Sequence, residues 1–332
     1  MSAPLEIERL SVSYETATGT ASAVSDVSLT LGEGEILGLV GESGCGKTTL
    51  SMAAMGLLPD NVEVAGEIRL EGTSIARLGE AEMRPLRGNR IAIVVQNPLT
   101  SLDPMFSVGS QVVDAIRAHR DVSRREARRR AIELLTEVGI PDAARRLKDP
   151  PHRFSGGQRQ RIVIAIAIAN EPSVLIADEP TTALDVTVQA QVLSLLVRLR
   201  REHGMAMLVI THDLGVVAQL CDRVGVMYAG QLIELASAKE IFHEPRHPYT
   251  RELLEAVPTT SSGGDELAVI PGEIPDLEQA MPGCRFAPRC PSRMATCERR
   301  PALQQEGGVQ VACWLYGDTE ASGTGESKVG FG

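Results

Sequence analysis

The chain alternates between short, unbroken apolar runs and longer stretches in which apolar residues recur every three or four positions. Ile36 to Val40, Val174-Leu175-Ile176-Ala177, Met205 to Ile210 and Gly225 to Tyr228 are continuous apolar runs of strand length. Such runs belong to strands covered on both faces. Leu5 to Val12, Val24 to Leu31, Gly66 to Leu70 and Ile91 to Val95 also have strand character, and turn signals such as Gly32-Glu33-Gly34 separate them. From about 100 to 169 the pattern turns helical. Ser123-Arg124-Arg125-Glu126 is a capping box ahead of Ala127, Ala131, Leu134, Leu135 and Val138, and Gly139 with Pro141 ends that helix. A second helix is predicted from about Val186 to His203, with Gly204 placed to stop it. Strands alternating with helices predict a parallel sheet with helices on both faces, interrupted by a helical insert.

Composition sets bounds on this picture. A chain of 332 residues suggests about two domains or subdomains, and 43% hydrophobic with 23% charged residues is the balance of a globular protein. A net charge of −10 disfavours broad nucleic-acid binding. No apolar run reaches the length of a membrane span and no signal-peptide pattern opens the chain, so a cytosolic setting is expected. The six cysteines fit a reducing compartment better than a disulfide framework. Pro258 to Gly264 reads as a linker, residues up to about Tyr316 as a small Pro- and Cys-rich segment, and 317–332 as a disordered tail.

The most specific chemistry lies in Gly41-Glu42-Ser43-Gly44-Cys45-Gly46-Lys47-Thr48, a phosphate loop of the form G-x-x-x-x-G-K-[ST] between a predicted strand and a predicted helix. Its glycines let backbone N–H groups turn toward phosphate oxygens, and the helix start adds partial positive charge. Lys47 is the cation for the outer phosphates, Thr48 offers a hydroxyl to magnesium, and Thr49 completes the nucleotide-binding run. Asp178 and Glu179 end the strand Val174–Ala177, where ligands bind in such sheets. Asp178 suits the magnesium shell and Glu179 a general base for water. Phe154-Ser155-Gly156-Gly157-Gln158 opens another helix and makes a second anion site. One chain does not readily place two helix starts on opposite sides of one phosphate, so a second subunit is expected to supply one.

At these motifs the chain resembles the ATP-binding cassette (ABC) family, whose signature is Ser-Gly-Gly-Gln, over about residues 5 to 250. The resemblance implies an α/β fold: a P-loop NTPase (ABC ATPase) core with an antiparallel β subdomain, a helical insert subdomain and a small Cys-rich C-terminal extension. The implied limits are 1–257 for the ATP-binding domain, with the insert at about 97–170, then 258–316 for the extension. It further implies that Tyr14 stacks on adenine and that Gln96 touches magnesium and senses the γ-phosphate. Ser155, Gly156, Gly157 and Gln158 then bind the partner's ATP, Asp185 crosses between subunits, and His212 contacts the γ-phosphate. Glu179, His212, Lys47 and Gln96 form the implied catalytic set; Thr48, Gln96 and Asp178 form the magnesium set. Asn97 departs from the acidic residue that relatives often carry.

Three further stretches, Gln96 to Pro104, Ala177 to Thr187 and Pro245 to Thr250, look like the ATPase subunits of dipeptide and oligopeptide importers, as does the tail Pro282 to Pro291. That group implies a paralogous ATPase partner, two membrane permeases, an extracytoplasmic peptide-binding protein, and a place on the cytoplasmic face of the cell membrane. Importers of nickel or glutathione share much of the pattern. A soluble, non-transport ABC ATPase is the competing class, although it typically carries two cassettes or a long coiled coil. A phosphate-loop kinase would not need Ser155 to Gln158 or His212. Residues 97 to 108 join the γ-phosphate sensor to the insert and are expected to couple ATP to the permease. Arg124, Arg125, Arg128, Arg129 and Arg130 are expected to form a solvated helix face.

Cys284, Cys290, Cys297 and Cys313 remain. Four thiols in a small Pro-rich segment suit a metal or an iron–sulfur centre, and their spacing lacks the C-x-x-C pairs of zinc ribbons. Zinc and unligated cysteines stay open as alternatives. The resemblance to peptide-importer ATPases with this tail implies a [4Fe–4S] cluster. Cys45 and Cys221 are expected to be packing residues.

Overall fold

The computed structural model describes residues 2–17, 19–182, 184–256, 270–273, 275–279 and 281–316, with backbone only at Pro98 and Leu99. The expected linker at 258–264 and the tail at 317–332 lie outside the described residues. Among those described, the strands are β1 (Leu5–Glu15), β2 (Thr20–Leu31), β3 (Ile36–Val40), β4 (Val62–Leu70), β5 (Thr73–Ser74), β6 (Ile91–Val94), β7 (Val174–Asp178), β8 (Ala206–Ile210), β9 (Arg223–Tyr228), β10 (Gln231–Ser237), β11 (Gln304–Glu306) and β12 (Val309–Val311). The helices are α1 (Lys47–Ala54), α2 (Glu80–Met83), α3 (Pro98–Ser101), α4 (Val108–Arg117), α5 (Arg124–Glu137), α6 (Ala143–Arg146), α7 (Gly156–Ala167), α8 (Val186–His203), α9 (Leu214–Leu220), α10 (Ala238–His243) and α11 (Pro248–Glu255).

Two sheets form. The smaller is antiparallel, in the order β2-β1-β4-β5. The larger runs β11-β12-β10-β9-β3-β8-β7-β6. Its β9-β3-β8-β7-β6 portion is parallel, and every residue of β3, β7 and β8 is buried. Continuous apolar runs are what a doubly covered parallel strand requires. The predicted parallel sheet is thus present but extended: β10 and β12 add antiparallel to β9 and carry the sheet into the Cys-rich segment.

One apolar core fills the space between the two sheets and includes Leu5, Ile7, Leu29, Leu37, Leu50, Ile68 and Leu208. A second core joins the other face of the larger sheet to α4, α5, α7 and α8 through Val112, Leu134, Leu135, Ile164, Val192 and Leu196. Among the described residues no helix is long and apolar enough to cross a membrane.

Local stop and start signals act as the chain suggests. Helix α8 runs Val186–His203 and ends on Gly204 in the left-handed conformation (φ 65°). The Ser123 hydroxyl caps α5 by accepting from the Glu126 amide. Ion pairs lace the exposed arginine face of α5, Arg129 with Glu126 and Glu133, and Arg130 with Glu133 and Glu171. Because an N-cap bond satisfies an otherwise orphaned amide, Ser123→Ala should lower stability by about 1 kcal/mol, read as a lower urea midpoint at unchanged m-value.

Candidate functional site

Sheet order decides which loops meet. Strands β3, β8, β7 and β6 are neighbours and run the same way, so their carboxyl ends share one edge. Gly41 follows β3, Thr211 and His212 follow β8, Glu179 follows β7, and Gln96 lies just beyond β6. Residues far apart in sequence are thereby gathered at one crevice, where open parallel sheets bind ligands.

The loop after β3 curls back over α1. Only glycine fits two of its positions. A Cβ on Gly41 would lie 2.1 Å from the Met227 carbonyl oxygen, and one on Gly46 (φ 97°) 2.2 Å from that of Ala23. Inside the curl Lys47 is only 7% exposed. It donates to the carbonyls of Gly41 (2.8 Å) and Glu42 (2.9 Å) and lies 3.4 Å from the Cys45 sulfur. Burial pushes the Cys45 thiol up, against the pull of Lys47. On the edge of the loop, the Tyr14 hydroxyl stands 3.5 Å from that of Thr49. Ser43 and Gly44 sit at the exposed turn.

Asp178 closes β7 and is 6% exposed. Burial raises its carboxyl above the ordinary range, partly offset by a hydrogen bond from the Thr48 side chain. A hydroxyl and a buried carboxylate side by side are hard oxygen donors of the kind magnesium takes, with phosphates filling most of its other positions. The residues present therefore fit the expected ion.

Glu179 stands at the centre of the second cluster. Its backbone is left-handed (φ 48°), an uncommon state for a residue with a side chain. Its amide donates to the Ile210 carbonyl (2.8 Å). Its carboxylate accepts from Gln96 Nε2 (2.6 Å) and Thr182 Oγ1 (2.7 Å) and meets His212 Nδ1 at 2.9 Å. Burial pushes Glu179 up, but the His212 and Thr182 hydrogen bonds and the nearby positive charges outweigh it and hold the carboxyl below its usual range. It stays ionised at neutral pH, as a base must.

The other helix start forms a separate group. Ser155 caps α7: its hydroxyl accepts from the Gln158 amide (3.3 Å), while Gln158 Oε1 accepts from the Ser155 amide (3.2 Å). Ser155 and Gly156 are exposed, and Gly157 is buried. Asp185 caps α8 through the Val188 amide. From α8, Gln189 donates to Asp213, which in turn caps α9 directly after His212.

Motif reading passed over several residues. Thr182 holds Glu179, and Tyr249 accepts from the Glu42 amide at 3.0 Å. Arg289 pairs with the Glu42 carboxylate at 3.0 Å across 247 positions of chain. All three lie inside quoted stretches, Thr182 in Ala177 to Thr187, Tyr249 in Pro245 to Thr250 and Arg289 in Pro282 to Pro291, but nothing in those stretches points to Glu42 as the partner of the last two.

The four clustered cysteines line one small apolar cavity with Phe286, Trp314 and Leu315. Their donor chemistry suits a soft metal. Yet among the described residues no group of three or more His, Cys, Asp or Glu side chains could hold a metal ion. The structure therefore does not support the expected iron–sulfur ligand set Cys284, Cys290, Cys297 and Cys313. The thiols share a cavity, and burial pushes Cys284 up to about 11 and raises Cys290 and Cys313, away from the thiolate form. Cys221 sits against the core and burial raises it to about 12, as a packing thiol requires.

With this geometry in place, similarity to known proteins assigns the family. Residues 24–182 match the ABC transporter family, and residues 233–297 match the family described as the C-terminal region of oligopeptide/dipeptide transporters. The dipeptide transport ATP-binding protein DppD of Bacillus subtilis is 48% identical over 315 residues, covering 94% of each chain. The oligopeptide transport ATP-binding protein OppD of Salmonella typhimurium is 47% identical over 300 residues, covering 90% of each. Among solved structures, the dimeric post-hydrolysis state of the ATP-binding cassette MJ0796 bound to ADP and Pi superposes with a TM-score of 0.63 at 28% identity, over 70% of this chain and 98% of that one. The chain belongs to the ATP-binding proteins of the dipeptide/oligopeptide ABC transporter family.

Proposed function

We propose that this chain is the ATP-binding and ATP-hydrolysing subunit that energises a membrane importer of dipeptides or oligopeptides. The observation that carries the chemistry is the Glu179 cluster beside the buried Lys47 loop. ATP phosphates occupy the curl from Gly41 to Thr49. Lys47 turns its ammonium from the loop carbonyls to the outer phosphates, and Tyr14 stacks on the base. Thr48, Asp178 and Gln96 would hold magnesium, which would neutralise phosphate charge. Glu179 orients and deprotonates the attacking water. Gln96 and His212, which share that carboxylate in the absence of nucleotide, are free to turn to the γ-phosphate.

Ser155 to Gln158 belong, on this reading, to the ATP held by a second ATPase subunit. The exposure of Ser155 and Gly156 at the start of α7 supports it. A paralogous partner is the favoured one, and Asp185 crosses between the two. ATP-driven closure of the pair would move two permease subunits, with a binding protein delivering peptide outside. The chain then works at the cytoplasmic face of the membrane. The helices between β6 and β7 form the insert that meets the permease, with 97–108 as the coupling segment. Support for peptide as the cargo comes from the names of the relatives and from the match at 233–297.

A narrower reading concerns the cysteine cavity of the C-terminal extension. We propose that it takes a [4Fe–4S] cluster. Its support is that all four thiols open on one apolar cavity; binding requires their deprotonation and closure around the metal. Anaerobically prepared protein should contain stoichiometric iron and sulfide. Zinc alone, or no metal, would overturn this reading.

Two variants test the nucleotide site. Glu179→Gln keeps the shape but cannot accept the proton. It should bind ATP, trap the closed pair in size-exclusion chromatography, and lose about 10²–10⁴-fold in turnover; near-normal turnover removes Glu179 from the base role. Asp178 binds its proton more tightly folded than unfolded. Its contribution to stability without nucleotide is therefore present at low pH and lost as pH rises through its raised value. At neutral pH, Asp178→Asn should melt higher than the parent chain without nucleotide, yet lose magnesium-dependent stabilisation by ATP. A lower melting temperature of the nucleotide-free variant would refute the assignment.

A further inference from the structure

The phosphate loop carries a carboxylate at its second position, the wrong sign for a site that takes a triphosphate. Glu42 does not point freely to solvent. Arg289, directly before Cys290 in the Cys-rich segment, meets it with a side chain only 4% exposed. Nη1 donates to Glu42 Oε2 (3.0 Å) and Nη2 to Glu42 Oε1 (3.3 Å), the two-pronged pairing that only arginine makes. The remaining N–H groups are also used. Nη1 reaches the Tyr228 hydroxyl (3.3 Å), Nη2 the Ile270 carbonyl (3.1 Å), and Nε the Pro271 carbonyl (2.9 Å). All five donors of the guanidinium are thus satisfied.

The same loop residue is held at two further points. Its amide donates to the Tyr249 hydroxyl (3.0 Å), and its carbonyl accepts from Lys47 (2.9 Å). Tyr249, Tyr228 and Phe286 pack together with ring centroids 4.6–5.4 Å apart, so the hold is backed by a rigid aromatic cluster. Side chain and amide of Glu42 are therefore fixed by Arg289 and Tyr249, both outside the phosphate loop, and Arg289 comes from the C-terminal segment, as does the Phe286 that packs on Tyr249.

We propose that Arg289 is a positioning residue of the nucleotide site: by cancelling the Glu42 carboxylate and anchoring the loop, the C-terminal segment sets the affinity for ATP. This rests on the nucleotide-site reading above. Arg289 touches no phosphate; it acts through Glu42. Without it, the carboxylate would face the triphosphate uncompensated across a half-buried loop, where charges are poorly screened. When Lys47 leaves the Glu42 carbonyl for the phosphates, Arg289 and Tyr249 keep that residue in place.

The test is equilibrium titration of the full chain with magnesium AMP-PNP, with melting of the nucleotide-free protein as the check on folding. Arg289→Met should weaken binding about tenfold. Adding Glu42→Gln to that variant should return affinity to within about threefold of the parent chain, because no charge is left to cancel. A purely structural contact would not be rescued by losing its second partner. Unchanged affinity in Arg289→Met, or a double variant as weak as the single one, would overturn the proposal. If Arg289→Met does not fold, Glu42→Gln alone reads the same contact. The amide keeps an acceptor for Arg289 while its positive charge is no longer cancelled, so binding should tighten about threefold; unchanged or weaker binding would overturn it. Lys47→Ala is the separate control. If it binds as the parent does, or if the parent does not bind, the nucleotide-site reading itself fails rather than the role of Arg289.

Discussion

A buried ammonium at the head of a parallel sheet organises this molecule. Lys47 is nearly shut off from water, and a charge so placed is tolerated only where dipoles replace its hydration. The carbonyls of Gly41 and Glu42 do so. That demand bends the loop back on the start of α1, and the bend presses two positions against other backbone, at Met227 and Ala23, so closely that no side chain fits. The loop is a cage preformed around a cation, and on the proposed reading a triphosphate enters by exchanging those carbonyls for its own oxygens. Little reorganisation is needed at that moment, which is how preorganised sites gain their advantage.

The neighbouring strand supplies two carboxylates in opposite states. Asp178 is buried and pushed toward its neutral form, whereas Glu179 is hydrogen-bonded and held ionised. Adjacent groups driven apart in this way suit different chemical roles, which the proposed function assigns as cation binding to Asp178 and proton acceptance to Glu179. Glu179 reaches its place through a left-handed backbone, local strain that the buried sheet around it sustains. Its partners come from three separate loops, and His212 is tied through Asp213 and Gln189 to α8, the helix that Asp185 caps. Movement at the base is thus mechanically connected to the segment assigned to the subunit boundary.

The Cys-rich segment is bound into the same framework. Strand β12 pairs with β10 at the edge of the main sheet, Phe286 enters the aromatic cluster, and Arg289 closes on the loop. The thiol cavity is lined by Phe286 and by Cys290, which is adjacent in sequence to Arg289. Events at the cysteines and at the phosphates therefore share a short covalent and ionic path.

Sequence alone determined the parts whose physics is local. Gly41 to Thr48, the Asp178–Glu179 pair after an apolar strand, the cap at Ser155 and the stop at Gly204 each follow from backbone conformation and donor orientation within a few residues. They were legible for that reason. Periodicity likewise located β3, β7, β8 and α8. Strand β10 was missed because it carries Glu234 in its middle, a polar residue that is buried only because it accepts the amides of Arg246 and His247 from beyond the strand. Three residues of β12 are too few to show a period. Tertiary structure alone decided that Gln96, Thr182 and His212 converge on Glu179, since strand order and parallel register set which loop ends meet. It alone decided that Arg289 answers Glu42, a pairing of charges whose partners lie 247 residues apart and leave no local trace. It also decided that Cys284, Cys290, Cys297 and Cys313 line one cavity, because spacing along a chain says that thiols can gather but not whether they converge.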